Sequence, residues 1–255
     1  MKLSVIVLTK NEATVIKDCL VSIKDLADEI ILVDSGSTDD TVKIATELGA
    51  KIISASGDYA NLRNTGLEAA SGEWIFYIDA DERITPELAK EISQITQGEA
   101  LRTQGLPLES YKLPRKNIVF GRWIKHGGYW PDPVHRLFKK EALTGWTGRL
   151  HESPRVIGKV SYLKQPLMHY TVRSIAAALE KSRDWSAIEA QLLFEANVPR
   201  VTWWKIIKAF KLEFLRQLVL RLGVLDGMPG FILAYIRAYH QASVLVNLWQ
   251  KQQQS

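Results

Sequence analysis

The stretch IFYIDADERITPEL, residues 75–88, decides how the rest of the chain is read. Ile75 to Ile78 is a short run of β-branched and aromatic residues, as in a strand buried on both faces. It passes without a spacer into Asp79, Asp81 and Glu82. Carboxylates crowded at a strand end repel one another and add nothing to a core, so the cluster calls for a positive partner. Two carboxylates one residue apart, on a loop leaving a strand, can hold a hard divalent cation through oxygen. Mg2+ or Mn2+ held this way keeps positions open for phosphate oxygens and offsets the charge of a diphosphate. The plainer alternative is an acidic turn ahead of a helix, because Thr85 and Pro86 form a helix start and acids favour helix N-termini.

Working outward from this stretch, strand and helix patterns alternate through the first hundred residues. Leu3–Leu8, Glu29–Val33, Lys51–Ser54 and Trp74–Ile78 read as strands. Glu12–Leu26 has helical spacing, with Val15, Ile16, Leu20 and Ile23 on one side. Thr38 or Asp39 can cap a helix that runs to Leu48, and Asn61–Ala70 reads as another helix. Apolar strands alternating with helices predict an α/β domain with a mostly parallel sheet covered on both faces. In such sheets ligands gather at the carboxyl ends of the strands. Three polar clusters fall at three such ends: TKNE (9–12), DSGSTDDT (34–41) and DADE (79–82). Their alignment is what weakens the acidic-turn alternative for the third.

From Gly98 to Met168 helical periodicity is lost and Gly, Pro, Trp and Tyr are frequent, which predicts short, partly antiparallel strands and long loops. Ser174–Ala196 returns to a helical pattern. No internal repeat is visible, and the terminal QKQQQS is expected to fray.

The 255 residues are 46% hydrophobic and 24% charged, ordinary for one large domain or a domain with an appendage. A single cysteine, Cys19, excludes an internal disulfide and fits a reducing compartment. The start, MKLSVIVLTKNE, does not read as a signal peptide, so the cytoplasm is the expected location. Net charge is +5, unevenly placed: from Pro199 onward there are 8 basic and 2 acidic residues, and elsewhere 25 basic against 26 acidic. Within this tail, VTWWKIIKAFKLEFLRQLVLRL has Ile206, Ile207, Phe210, Phe214 and Leu218 on one broad helical face and Lys205, Lys208 and Arg216 on another. That is the pattern of a helix lying in a membrane interface; packing on the catalytic domain or a second subunit is the alternative. Arg221, Asp226, Pro229 and Arg237 interrupt the later apolar stretch, so no spanning helix is expected.

The motifs LSVIVLTKNE, IILVDSGSTDDT, LRNTGLEAASGEWIFYIDADE, HRLFKKE and GRLHES occur in this order. In them the chain resembles the family 2 glycosyltransferases of GT-A fold, over most of residues 1–170. Within that family it is similar to the bacterial lipopolysaccharide-core glucosyltransferases. The resemblance implies a nucleotide-sugar-binding α/β half (1–98), an acceptor-binding and catalytic half of the same domain (99–172), and a basic, membrane-associating helical region (173–255). Thr9, Asn11 and Glu12 would border the nucleotide, Asp34 would face the uracil, and Ser35, Gly36 and Ser37 would form the adjoining turn. Arg63 would lie near the base or diphosphate. Asp79 would meet the ribose or the metal, Asp81 would be the main metal ligand, and His169 would add to the metal or contact the diphosphate. The catalytic base would be Glu152 or Asp132; where the family has a Glu-Asp pair, this chain reads His151-Glu152. His135 and Arg136 would shape the acceptor pocket or meet phosphate, and Trp123, Tyr129 and Trp130 offer faces for sugar stacking.

The implied activity is inverting transfer of glucose from a UDP-sugar to a lipid-linked or lipopolysaccharide-core saccharide. It would use a divalent metal at the inner face of the cytoplasmic membrane, with an oligomer compatible and no nucleic-acid partner. Another cell-envelope polysaccharide or a protein is the alternative acceptor. Two other classes fit less well. A nucleotidyltransferase normally has a glycine-rich basic loop after its first strand, and TKNEATV has no glycine. A non-enzymatic basic binding protein would not need intact acidic strand ends.

Overall fold

Leu3–Thr9 (β1) is buried at every position, as expected of an apolar run with no polar face to turn outward. The computed structural model describes residues 2–98, 108–148, 152–172 and 174–254. β1 pairs in parallel with Glu29–Asp34 (β2), which pairs in turn with Lys51–Ser54 (β3). On its other side β1 pairs in parallel with Trp74–Asp79 (β4). Because successive side chains on a strand point to opposite faces, alternate residues feed two cores. Val5, Val7, Phe76 and Ile78 join one, with Ile16, Leu20 and Ile23 of Ile16–Ile23 (α1). Ile6, Leu8, Ile75 and Tyr77 join the other. Thr41–Glu47 (α2) follows β2, and Tyr59–Ala69 (α3) follows β3. α3 lies so close to the sheet that a Cβ on Gly66 would sit 2.5 Å from Ile6 Cγ2.

After β4 the chain makes a two-residue strand, Glu82–Arg83 (β5), and then Pro86–Thr96 (α4), capped by the Thr85 hydroxyl accepting from Leu88 N. The following strands are Leu108–Val119 (β6), Arg122–Trp123 (β7), Pro133–Lys139 (β8), Leu143–Thr147 (β9), Ser153–Val156 (β10), Lys159–Tyr162 (β11) and Leu167–Val172 (β12). The sheet order is β3-β2-β1-β4-β8-β6-β12-β5, with β7 and β11 also paired to β6 and a separate β9–β10 hairpin. β8 is antiparallel to β4 and β6, so a parallel half continues into an antiparallel one. The expected α/β class with a smaller antiparallel part and C-terminal helices is what forms, although β6, at 12 residues, is not short.

The chain divides into two compact units, Met1–Arg115 with Pro133–His169, and Lys116–Asp132 with Tyr170–Ser255. The second is mainly helical. Ile175–Glu195 (α5) is capped by Ser174, whose hydroxyl accepts from Ala177 N. Trp203–Leu215 (α6) runs into a π-helical turn at Arg216–Leu220 and a 3-10 turn at Gly223–Asp226, and Met228–Gln254 (α7) closes the unit. Asp226 accepts from the Lys125 and His126 amides at 3.2 and 2.8 Å, tying residues 116–132 to this turn.

Three local expectations change. The first helix starts at Ile16, not Glu12, because Asn11 adopts φ 54° and the Glu12 and Ala13 amides donate to Thr41 Oγ1 and Asp39 Oδ2. The cap position of α2 is Asp40, although Asp39 takes the Thr41 amide at 3.1 Å. The glutamine tail is helical through Gln254, not frayed, because Gln252 accepts from Val201 N at 2.9 Å and donates to Val198 O at 3.2 Å.

Candidate active site

The strand register sets the site. Thr9 lies opposite Asp34 across β1–β2, and Leu8 opposite Asp79 across β1–β4. These residues therefore end three neighbouring strands on one sheet edge, with Asp34 and Asp79 about 10 Å apart across β1.

On the β1–β2 side the polar groups lock one another. Asp34 is 5% exposed and accepts from the amides of Gly36 (3.1 Å) and Ser37 (2.9 Å) and from the Ser37 hydroxyl (2.5 Å). Gly36 sits at φ 90°, which explains glycine there. Ser35 N donates to Thr9 O at 3.0 Å. Asn11 N donates to Ser37 Oγ, and Asn11 Oδ1 accepts from Thr38 N, each at 2.8 Å. Asp34, expected to face a base, thus builds the turn itself. Thr9 Oγ1 is buried without a hydrogen bond among the described residues.

On the β4 side the acids meet arginines. Glu82 is 0% exposed and accepts from Asp79 N (2.9 Å) and Arg136 Nη2 (2.9 Å), with Arg115 Nη1 at 3.5 Å. Arg136, in β8 beside β4, also pairs with Asp79. Arg63, on α3, reaches Asp79 Oδ1 at 3.3 Å and Glu152 Oε1 at 3.0 Å from Nη2 and 3.2 Å from Nε. Its guanidinium lies over Trp146 and Tyr77, 4.8 and 5.4 Å from the ring centroids, and its Nη1 is buried without a partner among the described residues. Burial opposes ionisation of Asp79, but the charges of Arg136 and Arg63 outweigh it and hold the carboxyl well below the usual range. The positive partner that the crowded acids call for is therefore largely internal.

Asp81 meets a histidine. β5 pairs with β12 so that His169 lies opposite Glu82, which brings His169 Nε2 to 3.4 Å from Asp81 Oδ2. Two ligands at right angles about a cation with bonds of about 2.1 Å are about 3.0 Å apart, so this carboxylate–imidazole pair suits a hard divalent ion after a small adjustment. Asp79 is turned to its arginines, and no group of three or more His, Cys, Asp or Glu side chains among the described residues converges as a complete cage. Two protein donors with open positions match a cation shared with phosphate oxygens.

Glu152 joins Asp79 and Arg63 in the first unit; His151 beside it lies outside the described residues. Both Arg63 bonds fall on Oε1. Asp132 belongs to the second unit, where it accepts from Asn117 at 3.1 Å. So do the aromatic candidates, whose rings are already engaged. Trp123 has the Lys116 and Lys125 ammonium groups 4.3 and 4.6 Å from its centroid, and Tyr129 has Arg237 at 5.6 Å. His135 packs on Phe138 at 4.4 Å, and burial with the Lys112 charge pushes its pKa down to about 4. Arg136 pairs with Asp79 and Glu82. Sequence reasoning missed Glu82 as the internal anchor, and missed Arg115 and Trp146; nothing local marks them, because each depends on strand pairing.

The sequence model of glycosyl transferase family 2 matches residues 4–137. The chain is 29% identical over 260 residues to an uncharacterized glycosyltransferase of Rickettsia felis, covering 93% of this chain and 86% of that one. It is 31% identical over 153 residues to the glycosyltransferase SunS of Bacillus phage SPbeta, covering 58% of this chain and 33% of SunS. Its fold is similar to glucosyl-3-phosphoglycerate synthase from Mycobacterium tuberculosis, solved with Mn2+, UDP and glucosyl-3-phosphoglycerate. The TM-score is 0.50 and the identity 20%, over 78% of this chain and 81% of that chain.

Proposed function

Because the chain belongs to glycosyl transferase family 2, we propose that it transfers glucose from a UDP-sugar to a lipid-linked or lipopolysaccharide-core saccharide, inverting the anomeric centre. The observation that carries the reading is the Asp81–His169 pair beside the aligned ends of β1, β2 and β4. The Mycobacterium synthase, solved with Mn2+ and UDP, supports the nucleotide class by likeness of fold.

In this reading the Gly36–Ser37 turn, held by Asp34 and Asn11, seats the nucleoside, and Thr9 Oγ1 is a hydrogen-bonding position left for it. Glu12 borders the ribose. Asp81 and His169 hold the divalent ion. When bound, such an ion offsets the negative charge that grows on a departing diphosphate. Arg63 offers its unpartnered Nη1 to the same diphosphate while Nη2 and Nε orient Glu152. Glu152, fixed through Oε1, takes the acceptor hydroxyl proton on Oε2 as that oxygen attacks the anomeric carbon. Asp79 is a positioning residue that keeps Arg63 and Arg136 apart at the right spacing.

The test is calorimetric binding of UDP-glucose with Mn2+, followed by transfer assays on saccharide acceptors. Asp81→Ala is expected to abolish Mn2+-dependent donor binding and transfer. Unchanged donor binding and hydrolysis in that variant would refute the reading. A parallel panel of UDP-, GDP- and dTDP-sugars assigns the nucleotide.

A further inference from the structure

α6 and the turns after it present a surface that the transfer reading does not use. The apolar face predicted for α6 is occupied internally: Phe210 packs edge-on against Tyr235 and Phe214 against Phe231, at 5.9 and 5.5 Å between centroids. Ile207, expected on that face, is exposed. What faces solvent is a second apolar set. Trp203 is 74% exposed, Leu220 79%, Leu225 64% and Met228 69%. Half of the large hydrophobic side chains exposed among the described residues fall between Trp203 and Phe231, a concentration that marks an interaction surface and not scattered apolar residues.

The charges on this segment are sorted. Lys208, Lys211, Arg216 and Arg221 are exposed. Of the two acids, Asp226 is buried under the amides of Lys125 and His126, and Glu213 accepts from Gln217 at 2.6 Å and lies 3.5 Å from Arg216, which leaves Lys208, Lys211 and Arg221 in excess. The backbone is strained in the same place. Leu222 holds φ 58°, a left-handed conformation that leucine rarely adopts, and its side chain is exposed. Strain of this kind persists where a feature is used.

We propose that α6 and the turns to Met228 lie on an anionic phospholipid bilayer. Trp203, Trp204, Leu220 and Leu225 would enter the headgroup boundary, and Lys208, Lys211 and Arg216 would meet lipid phosphates. A second copy of the chain fits less well, because a two-fold interface would bring this cationic patch against the same cationic patch of its partner. No helix among the described residues is long and apolar enough to cross a membrane, so the segment lies on the surface. The inference goes beyond the transfer reading, since lipid binding is measured without any sugar transfer and each idea fails separately.

The test floats the full-length protein with vesicles of phosphatidylcholine alone or with about one third phosphatidylglycerol. Binding is expected only to the anionic vesicles, and to weaken with salt. The charge reversals Lys208→Glu and Lys211→Glu together should lower it about 25-fold or more, at about five-fold per lost basic contact. Leu220→Asp with Leu225→Asp should lower it at least about ten-fold, with melting temperature unchanged because both positions are exposed. No flotation, or equal flotation with neutral and anionic vesicles, would overturn the proposal. So would a concentration-dependent dimer dissolved by the leucine substitutions, which would make the face an interface between copies.

Discussion

Replacing Arg136 by methionine tests whether the buried ion network is what holds the acidic strand end together. Arg136 is 4% exposed, and it is the group that joins Asp79 to the fully buried Glu82. Methionine keeps much of the volume and removes the charge. Glu82 would retain the Asp79 amide at 2.9 Å and Arg115 at 3.5 Å, and Asp79 would retain Arg63 at 3.3 Å. Breaking a buried pair by removing one partner costs about 3–5 kcal/mol. The remaining partners place this case near the lower end, about 3 kcal/mol. With an m value of about 3 kcal/mol/M, the urea midpoint should fall by about 1 M. Adding Glu82→Gln removes the stranded charge, so the double variant should be about 1–2 kcal/mol more stable than the sum of the single losses. Urea denaturation read by hydrogen exchange of β4 and β8 peptides reports on this unit directly. A loss under about 1 kcal/mol for Arg136→Met, or strict additivity with Glu82→Gln, would refute the reasoning.

Other outcomes follow from the same geometry. Glu152→Gln should reduce kcat by about 10²–10⁴ with donor affinity retained, checked by steady-state kinetics beside UDP-glucose calorimetry. His169→Ala should raise the Mn2+ concentration needed for half-maximal donor binding by about ten-fold or more, with the melting temperature little changed. His135 is held neutral, with a pKa down at about 4, whereas the unfolded imidazole titrates near 6.5. Its contribution is therefore complete above pH ~6.5 and lost as pH falls toward 4, with a slope below about 1.4 kcal/mol per pH unit; His135→Gln should flatten that part of a stability–pH curve. Gly66→Ala should destabilise by about 1–3 kcal/mol, because its Cβ would press on Ile6 in a filled core; a neutral result in thermal melts would refute the tight helix–sheet approach.

The parallel half was legible because its signals are local. β1, β2 and β4 are apolar at nearly every position, and Thr85–Pro86 announces α4 by cap chemistry alone. The polar clusters at the strand ends were visible for the same reason. Which charges neutralise them was not, because Arg63 and Arg136 arrive from 16 and 57 residues away. Asp34 shows a local network that residue types alone did not reveal. A carboxylate at a strand terminus looks free to grip a ligand, yet its three hydrogen-bond donors come from residues two and three positions on. In α6 Phe210 and Phe214 of the expected apolar stripe do pack together with α7 while Ile207 is exposed; periodicity cannot tell a face packed on another helix from one left open, and both faces of this helix are apolar in part.

The pairing of β5 with β12 has a consequence for biosynthesis. A ribosome that has delivered the residues of β1 to β4 has already made those of the Asp34 turn and the end of β4, but His169 is not yet synthesised. The carboxylate–imidazole pair closes only when an 87-residue loop is drawn shut. The Asp81–His169 pair is therefore among the later contacts of the first unit that the emerging chain can make, well after the residues of the Asp34 turn have been made.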